Sequence, residues 1–302
     1  MENKPFEVNY HSHTKRCGHA EGEDEEFVLS AIKNGYKIYG FSDHIILPGI
    51  DQPTIRGNYE RDAEDYFKSV RSLQKKYKDQ IEIHLAFEAE WYFEEYAEYY
   101  DNLLRSGTLD YMILGQHCFL DKTTHSLVFY GQVQDKKEAT RMYAYDLISG
   151  MKSHNFIYVA HPDLFMQWYG KWDSFAEEIA RKIIEAAKEE HMILEINMGP
   201  SRWGKRTGGE DFEVAYPNEE FWHLVKQYDV PCIIGVDNHR PWELETSPYD
   251  WVRRFVKRHN LEPLTSLNLP FHKPERKKSS RLSCLVVKYE SQKRSFYYGK
   301  TL

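Results

Sequence analysis

The run FEVNYHSHT at residues 6–14 joins a short apolar segment to two histidines separated by one residue. Its first residues alternate apolar and polar side chains, as in a half-buried β-strand. His11 and His13 follow at the carboxyl end of that predicted strand. In an extended segment residues i and i+2 point the same way, so both imidazoles can reach one metal ion.

Six more apolar, β-branched segments follow along the chain, and a helical pattern comes after nearly every segment. The predicted strands are Phe6–Tyr10, Ile38–Phe41, Ile81–Phe87, Tyr111–Leu114, Phe156–Ala160, Ile193–Asn197 and Pro231–Gly235. Amphipathic stretches near 24–34, 60–78, 95–105, 138–154, 174–190, 218–228 and 248–258 predict helices, one of them opened by a capping box at Ser174-Phe175-Ala176-Glu177. Such alternation indicates a parallel α/β sheet that closes into a barrel, with its active site at the carboxyl ends of the strands.

Histidine or carboxylate residues follow six of the seven predicted strands at the same end. They are His11 and His13, Asp43 and His44, Glu88 and Glu90, His117, His161 and Asp163, and Asp237 and His239, with His19 shortly after the first strand. The sixth strand is expected to end without such a ligand. Buried polar groups are unfavourable unless they are satisfied, so a set of this size indicates a metal centre. Imidazole with carboxylate favours Zn, Mn or Fe.

The other histidines have no such placement, and we expect them to be structural. They are His84, His125, His154, His191, His223, His259 and His272. Cys17, Cys118, Cys232 and Cys284 form no CxxC pair and are expected to be free thiols, with neither Cys17 nor Cys118 a metal ligand.

The composition excludes several classes of protein. The 302-residue chain carries a formal net charge of −7, so it has no broad attraction for nucleic acid or anionic lipid. We find no apolar run of signal-peptide or transmembrane length, which predicts a cytoplasmic protein with no nucleic-acid or membrane partner. The sequence leaves the oligomeric state open.

The motifs resemble those of the PHP (polymerase and histidinol phosphatase) family, and within it the monofunctional histidinol-phosphatase branch. The matching stretches are His11-Ser12-His13-Thr14, Cys17-Gly18-His19-Ala20, Ser42-Asp43-His44, Phe87-Glu88-Ala89-Glu90, His117, His161-Pro162-Asp163 and Asp237-Asn238-His239. They occur in the family's order over most of the chain. The resemblance implies a distorted (β/α)7 barrel with about three divalent metal ions at the carboxyl ends of the strands.

The resemblance also implies a role for each ligand. His11, His13, Glu88 and Asp237 would bind one ion, Glu88 would bridge to a second ion bound by His117 and His161, and His19, His44 and His239 would bind the third. Glu90 is expected beside the ligands. Arg202 follows the sixth strand, where relatives carry a similarly placed arginine, and is a candidate to bind phosphate, with Arg240 a weaker one. The general acid is left unassigned.

The implied reaction is hydrolysis of a small phosphate ester. L-histidinol phosphate, an intermediate of histidine biosynthesis, is favoured, and the alternative is another small phosphate such as a nucleotide. A binding module without activity is disfavoured because every ligand position is filled, and the acidic balance disfavours a nuclease. Residues 1–260 are predicted to form the barrel. Residues 261–302 are predicted to be an extension packed on it, with a hairpin from Cys284–Tyr289 and Ser295–Tyr298.

Overall fold

The computed structural model describes residues 3–206 and 211–271. Its strands are β1 (Val8–Asn9), β2 (Ile38–His44), β3 (Glu82–Ala89), β4 (Tyr111–Leu114), β5 (Cys118–Asp121), β6 (Ser126–Phe129), β7 (Tyr158–Val159), β8 (Ile193–Asn197), β9 (Lys205–Arg206), β10 (Phe212–Glu213) and β11 (Cys232–Gly235). Its α-helices are α1 (Asp24–Lys33), α2 (Tyr59–Tyr77), α3 (Ala97–Arg105), α4 (Lys136–Ser153), α5 (Met166–Tyr169), α6 (Ser174–Glu189), α7 (Glu219–Tyr228), α8 (Glu243–Thr246) and α9 (Tyr249–Arg258).

Seven of these strands form one parallel sheet in the order β1-β2-β3-β4-β7-β8-β11. The sheet curls until its outer strands meet, where a bridge joins Ser12 to Asn238. Backbone hydrogen bonds of 3.0 Å from Asp237 to His11 and from His13 to Asn238 complete the contact. The predicted seven-stranded α/β barrel is confirmed, and the carboxyl ends of its strands open on one side.

Side-chain caps fix where several of the outer helices begin. Asn58, Asp135 and Asn218 each accept backbone N–H groups at the start of α2, α4 and α7. The predicted capping box at Ser174 is wrong. The carboxylate of Asp173 caps α6 instead, accepting the N–H groups of the second and third helical residues at 3.1 Å, because Ser174 is already inside the first turn.

The amino ends of the barrel strands are covered by the chain after α9. The backbone N–H of Leu264 bonds to the carbonyl of Cys232 at 2.8 Å, and Leu267, Leu269 and Phe271 pack on the apolar barrel interior around Tyr10. The compact unit thus extends past the boundary predicted at residue 260. The predicted hairpin segments Cys284–Tyr289 and Ser295–Tyr298 lie outside the described residues.

Two short antiparallel pairs lie outside the barrel sheet and were not predicted from the sequence. Strand β5 pairs with β6 directly after the fourth barrel strand, and β9 pairs with β10 between β8 and α7. In the described part of the chain we find no helix long and apolar enough to cross a bilayer.

Candidate metal centre

Glu88, near the carboxyl end of β3, lies at the centre of the predicted ligands. Its carboxylate oxygens lie near imidazole nitrogens of His161 (2.8 Å), His44 (3.1 Å), His117 (3.4 Å), His11 (3.5 Å) and His13 (3.6 Å). The parallel register of β2 and β3 pairs His44 with Glu88, which explains one of these contacts. The absence of a side chain at Gly115 makes space for the Glu88 carboxylate, because a Cβ there would lie 2.0 Å from the Glu88 Oε1 atom. The barrel thus gathers five histidines around one buried carboxylate.

Asp237 provides a second carboxylate beside this group. Its Oδ1 atom lies 3.0 Å from His13 Nε2, 3.6 Å from His239 Nδ1 and 3.7 Å from His11 Nε2. The ring of His19 completes the set, with its centroid 5.0 Å from that of His239. All nine side chains predicted as metal ligands therefore lie in one cluster.

Two members of the cluster have left-handed backbone conformations, with φ of +30° at His161 and +53° at Asp237. Residues other than glycine adopt this region at a cost of about 1–3 kcal/mol, and they persist there only when the surrounding structure holds them. Each follows a barrel strand, where the turn directs its side chain into the cluster. The backbone therefore adopts an unfavourable conformation at His161 and at Asp237, where these side chains enter the cluster.

Several buried polar atoms of the cluster lack the hydrogen bonds that buried polar atoms normally make. Glu88 Oε2 and Asp237 Oδ1 lie close to imidazole nitrogens but not in hydrogen-bond geometry, so among the described residues they have no hydrogen-bond partner, and neither has His161 Nδ1. The Nε2 atoms of His117 and His161 lie only 3.2 Å apart. Several sets of three ligand atoms lie within 4.8 Å of one another, among them one from His11, His13 and Asp237. The residues present therefore fit divalent cations bound among them.

The carboxylates make the cluster attractive to cations: against the effect of burial, they raise the pKa of His11 and raise that of His13 to about 9. Burial opposes ionisation of Glu88, but His117 and His11 outweigh it and hold its pKa well below the usual range. The pKa of Asp237 is likewise held low against burial by His11 and Arg202. Burial and the neighbouring His13 lower the pKa of His44 to about 3. Ionised carboxylates and a neutral imidazole are the protonation states in which these groups bind metals.

Further carboxylates surround the cluster. Asp43 lies 3.4 Å from His13 Nδ1 and accepts the hydroxyl of Thr14. Glu90 Oε1 lies 3.4 Å from His117 Nδ1 and 3.0 Å from a guanidinium nitrogen of Arg56, so it contacts a predicted ligand from behind. Carboxylates placed behind ligand imidazoles in this way can orient them.

Sequence reasoning missed two buried charged residues near the site. Arg56 lies in the loop before α2, and Glu195 lies within β8, 2.9 Å from His11 Nδ1. The sixth barrel strand, expected to end without a ligand, thus carries a buried acid inside its span. A lone charge in the apolar run of that strand was the available signal. Cys17 Sγ also lies within 4.8 Å of nitrogens of His19 and His239.

The cluster lies at the base of an open cavity of about 800 Å³. Arg202 and Arg240 both line it. The guanidinium of Arg202 donates to the carbonyl of Asp237 and lies 3.4 Å from His239 Nδ1, directly beside the predicted ligands. That of Arg240 is paired with Glu21 at 3.0 Å and with Glu243 at 3.4 Å. The side walls include Phe129, Trp168, Trp203 and Tyr216.

The chain is similar in sequence to known proteins. The chain is 23% identical over 239 residues to a probable histidinol-phosphatase of Deinococcus radiodurans, covering 78% of this chain and 86% of that protein. It is 22% identical over 266 residues to a probable histidinol-phosphatase of Schizosaccharomyces pombe, covering 78% and 82%. It is 24% identical over 198 residues to the histidinol-phosphatase of Lactococcus lactis subsp. lactis, covering 63% and 71%.

Solved structures share the fold. Histidinol phosphate phosphatase from Lactococcus lactis, complexed with zinc, L-histidinol and phosphate, superposes with a TM-score of 0.64 at 19% identity, covering 85% of this chain and 95% of that one. The putative histidinol phosphatase of Listeria monocytogenes superposes with a TM-score of 0.58 at 18% identity, covering 78% and 96%. The family model of the PHP domain matches residues 9–199, more than half of the sequence. The chain therefore belongs to the PHP domain family.

Proposed function

We propose that this protein is a metal-dependent phosphomonoester hydrolase that converts L-histidinol phosphate and water to L-histidinol and phosphate. The observation that carries the proposal is the cluster of buried histidines and carboxylates around Glu88, at the carboxyl end of a PHP barrel and next to Arg202. The names of the similar proteins support the substrate. With that substrate the enzyme would act in histidine biosynthesis, in the cytoplasm.

The ligand set that we propose accommodates about three divalent ions, such as Zn, Mn or Fe. One ion would be held by His11, His13, Glu88 and Asp237, a second by Glu88, His117 and His161, and a third by His19, His44 and His239. Support comes from Glu88, whose two oxygens face histidines of different ions: Oε1 lies 2.8 Å from His161 of the second set and Oε2 lies 3.6 Å from His13 of the first. A carboxylate so placed can bridge two ions.

Ions bound there would ionise a water near neutral pH and neutralise phosphoryl oxygens in the transition state. The protein itself would bind the substrate. Arg202 projects its guanidinium beside Asp237 and His239, where a two-pronged hydrogen bond to phosphate oxygens is possible. Arg240 is held by two carboxylates, so we assign it a lesser share of phosphate binding. Aromatic side chains that line the cavity, including Trp168 and Tyr216, would contact the rest of the substrate.

The alternative substrate is another small phosphate ester such as a nucleotide, since the same centre would serve. The test is phosphate release by the zinc- or manganese-loaded protein from L-histidinol phosphate and from nucleoside monophosphates, with Glu88→Gln as the inactive control. We expect kcat/KM to be highest for L-histidinol phosphate. A higher value for a nucleoside monophosphate would show that the reaction class is right and the substrate wrong.

A further inference from the structure

Glu195, in the middle of β8, is a fully buried carboxylate that the proposed ligand set leaves out. Its two oxygens lie 2.9 and 3.1 Å from Nδ1 of His11. It also accepts hydrogen bonds from the backbone N–H of His161 at 3.2 Å and from the side-chain amide of Asn197 at 2.9 Å. The hydroxyl of Tyr158 approaches at 3.4 Å. Four groups from different parts of the barrel thus converge on one carboxylate.

The hydrogen bonds decide which nitrogen of His11 carries a hydrogen. The backbone N–H of His161 and the NH₂ of Asn197 can only donate, so Glu195 accepts from both. An ionised carboxylate carries no hydrogen and can only accept, so Nδ1 of His11 donates to it as well. The lone pair of neutral His11 is then on Nε2, the atom that lies 3.5 Å from Glu88 and 3.7 Å from Asp237.

A glycine in the neighbouring strand β11 makes space for the Glu195 carboxylate. Gly235, the last residue of β11, lies against Glu195. A Cβ atom at this position would lie 1.7 Å from the Oε1 atom and 2.4 Å from the carboxyl carbon, closer than any real contact. Glu195 therefore occupies a space that its surroundings shape closely.

We infer that Glu195 is a positioning residue for the metal centre. It holds His11 with Nδ1 protonated and Nε2 free, and it ties the His11 ring to the backbone of His161. These two residues follow different strands of the barrel, β1 and β7, so one carboxylate sets the relative geometry of two ligands. The inference rests on the metal centre proposed above and adds a residue outside its ligand set.

The test is the zinc affinity of Glu195→Gln, measured by competition with a chelator. The amide has the shape of the carboxylate but cannot accept from all of these donors. Removing an outer hydrogen-bond partner of a ligand typically weakens metal binding roughly 10- to 100-fold, and we expect a loss of that size. Asp110→Asn is the matched control, because Asp110 bonds Arg71 and the backbone of Leu85 near the amino end of the barrel. It should lower stability in urea and leave zinc affinity unchanged. Equal zinc affinity in Glu195→Gln and the parent would overturn the inference.

A second measurement needs no variant at Glu195. Proton-coupled ¹⁵N spectra of histidine-labelled parent protein, with His11 assigned from a His11→Gln sample, report which ring nitrogen carries hydrogen. In the zinc-loaded protein we expect a hydrogen on Nδ1 of His11 and none on Nε2. An Nδ1 without hydrogen would overturn the inference even if Glu195→Gln failed to fold. A parent protein that bound no zinc would instead sink the proposed metal centre, whereas zinc binding of equal affinity in the parent and Glu195→Gln would sink only the role of Glu195.

Discussion

The buried ion pair of Arg56 and Glu90 offers a quantitative test of how the barrel supports its metal centre. Both side chains are 1% exposed, and the guanidinium nitrogens lie 3.0 and 3.3 Å from the carboxylate oxygens. A further hydrogen bond of 3.0 Å joins Arg56 to the carbonyl of Ile45. Glu90 also lies 3.4 Å from His117. Replacing Arg56 would therefore leave a buried carboxylate without its main partner beside a proposed ligand.

The loss of the buried pair sets the size of the effect, and the pKa of Glu90 sets its pH dependence. Breaking a buried ion pair by removing one partner costs about 3–5 kcal/mol. Burial opposes ionisation of Glu90, but Arg56 and His117 hold its pKa at about 2, against 4.5 for an unperturbed glutamate. Because the folded pKa is the lower one, the stabilisation is complete above pH 4.5 and is lost as the pH falls towards 2. That difference in pKa corresponds to on the order of 3 kcal/mol.

Arg56→Met should therefore lower the free energy of unfolding of the metal-free protein by about 3–5 kcal/mol at pH 7, measured by urea denaturation. The double variant Arg56→Met/Glu90→Gln removes both charges and should recover most of the loss. A free energy of unfolding of Arg56→Met within about 1 kcal/mol of the parent value would refute the reasoning, because an uncompensated buried charge destabilises a protein by more than that. So would a double variant no more stable than the single one.

Three further outcomes are expected. Arg202→Ala should lower kcat/KM on L-histidinol phosphate about ten- to a hundredfold, the worth of a charge-assisted hydrogen bond, and should weaken inhibition by phosphate. Arg240→Ala should have the smaller effect, and the reverse order would show that the wrong arginine was chosen. Glu88→Gln should strip bound metal in elemental analysis, whereas His84→Ala, near the other end of the same strand, should keep it. Burial raises the pKa of Asp163 to about 7, so its contribution to the stability of the metal-free protein should fall as the pH rises from about 4 to 7. Asp163→Asn should flatten that slope in thermal unfolding, and an unchanged slope would contradict it.

The barrel and its cluster were predictable because both arise from local pattern. Each strand is a short apolar run, and parallel strands bring their carboxyl ends to one side, so residues such as His44 and Glu88 must meet. The contacts behind the cluster were not predictable in this way. Arg56 reaches Glu90 from a loop 34 residues away, and no spacing or motif in that loop marks the pairing.

Smaller differences have equally local causes. Ser174 and Asp173 are adjacent and both can cap a helix, and only the backbone conformation at Asp173 decides between them. Sequence reasoning missed Glu195 because a strand buried on both faces can hide an acid when its neighbours donate enough hydrogen bonds. Sequence pattern shows that the side chain is charged, but only the assembled barrel shows its partners.

The most direct test of the metal-dependent phosphatase is to remove the metal and restore it. The protein is stripped with a chelator, its metal content is checked by elemental analysis, and zinc or manganese is added back stepwise while phosphate release from L-histidinol phosphate is followed. We predict no turnover in the stripped protein and recovery of turnover as more than one divalent ion binds per chain. Full turnover in the stripped protein, or no phosphate release at any metal loading, would contradict the proposed function.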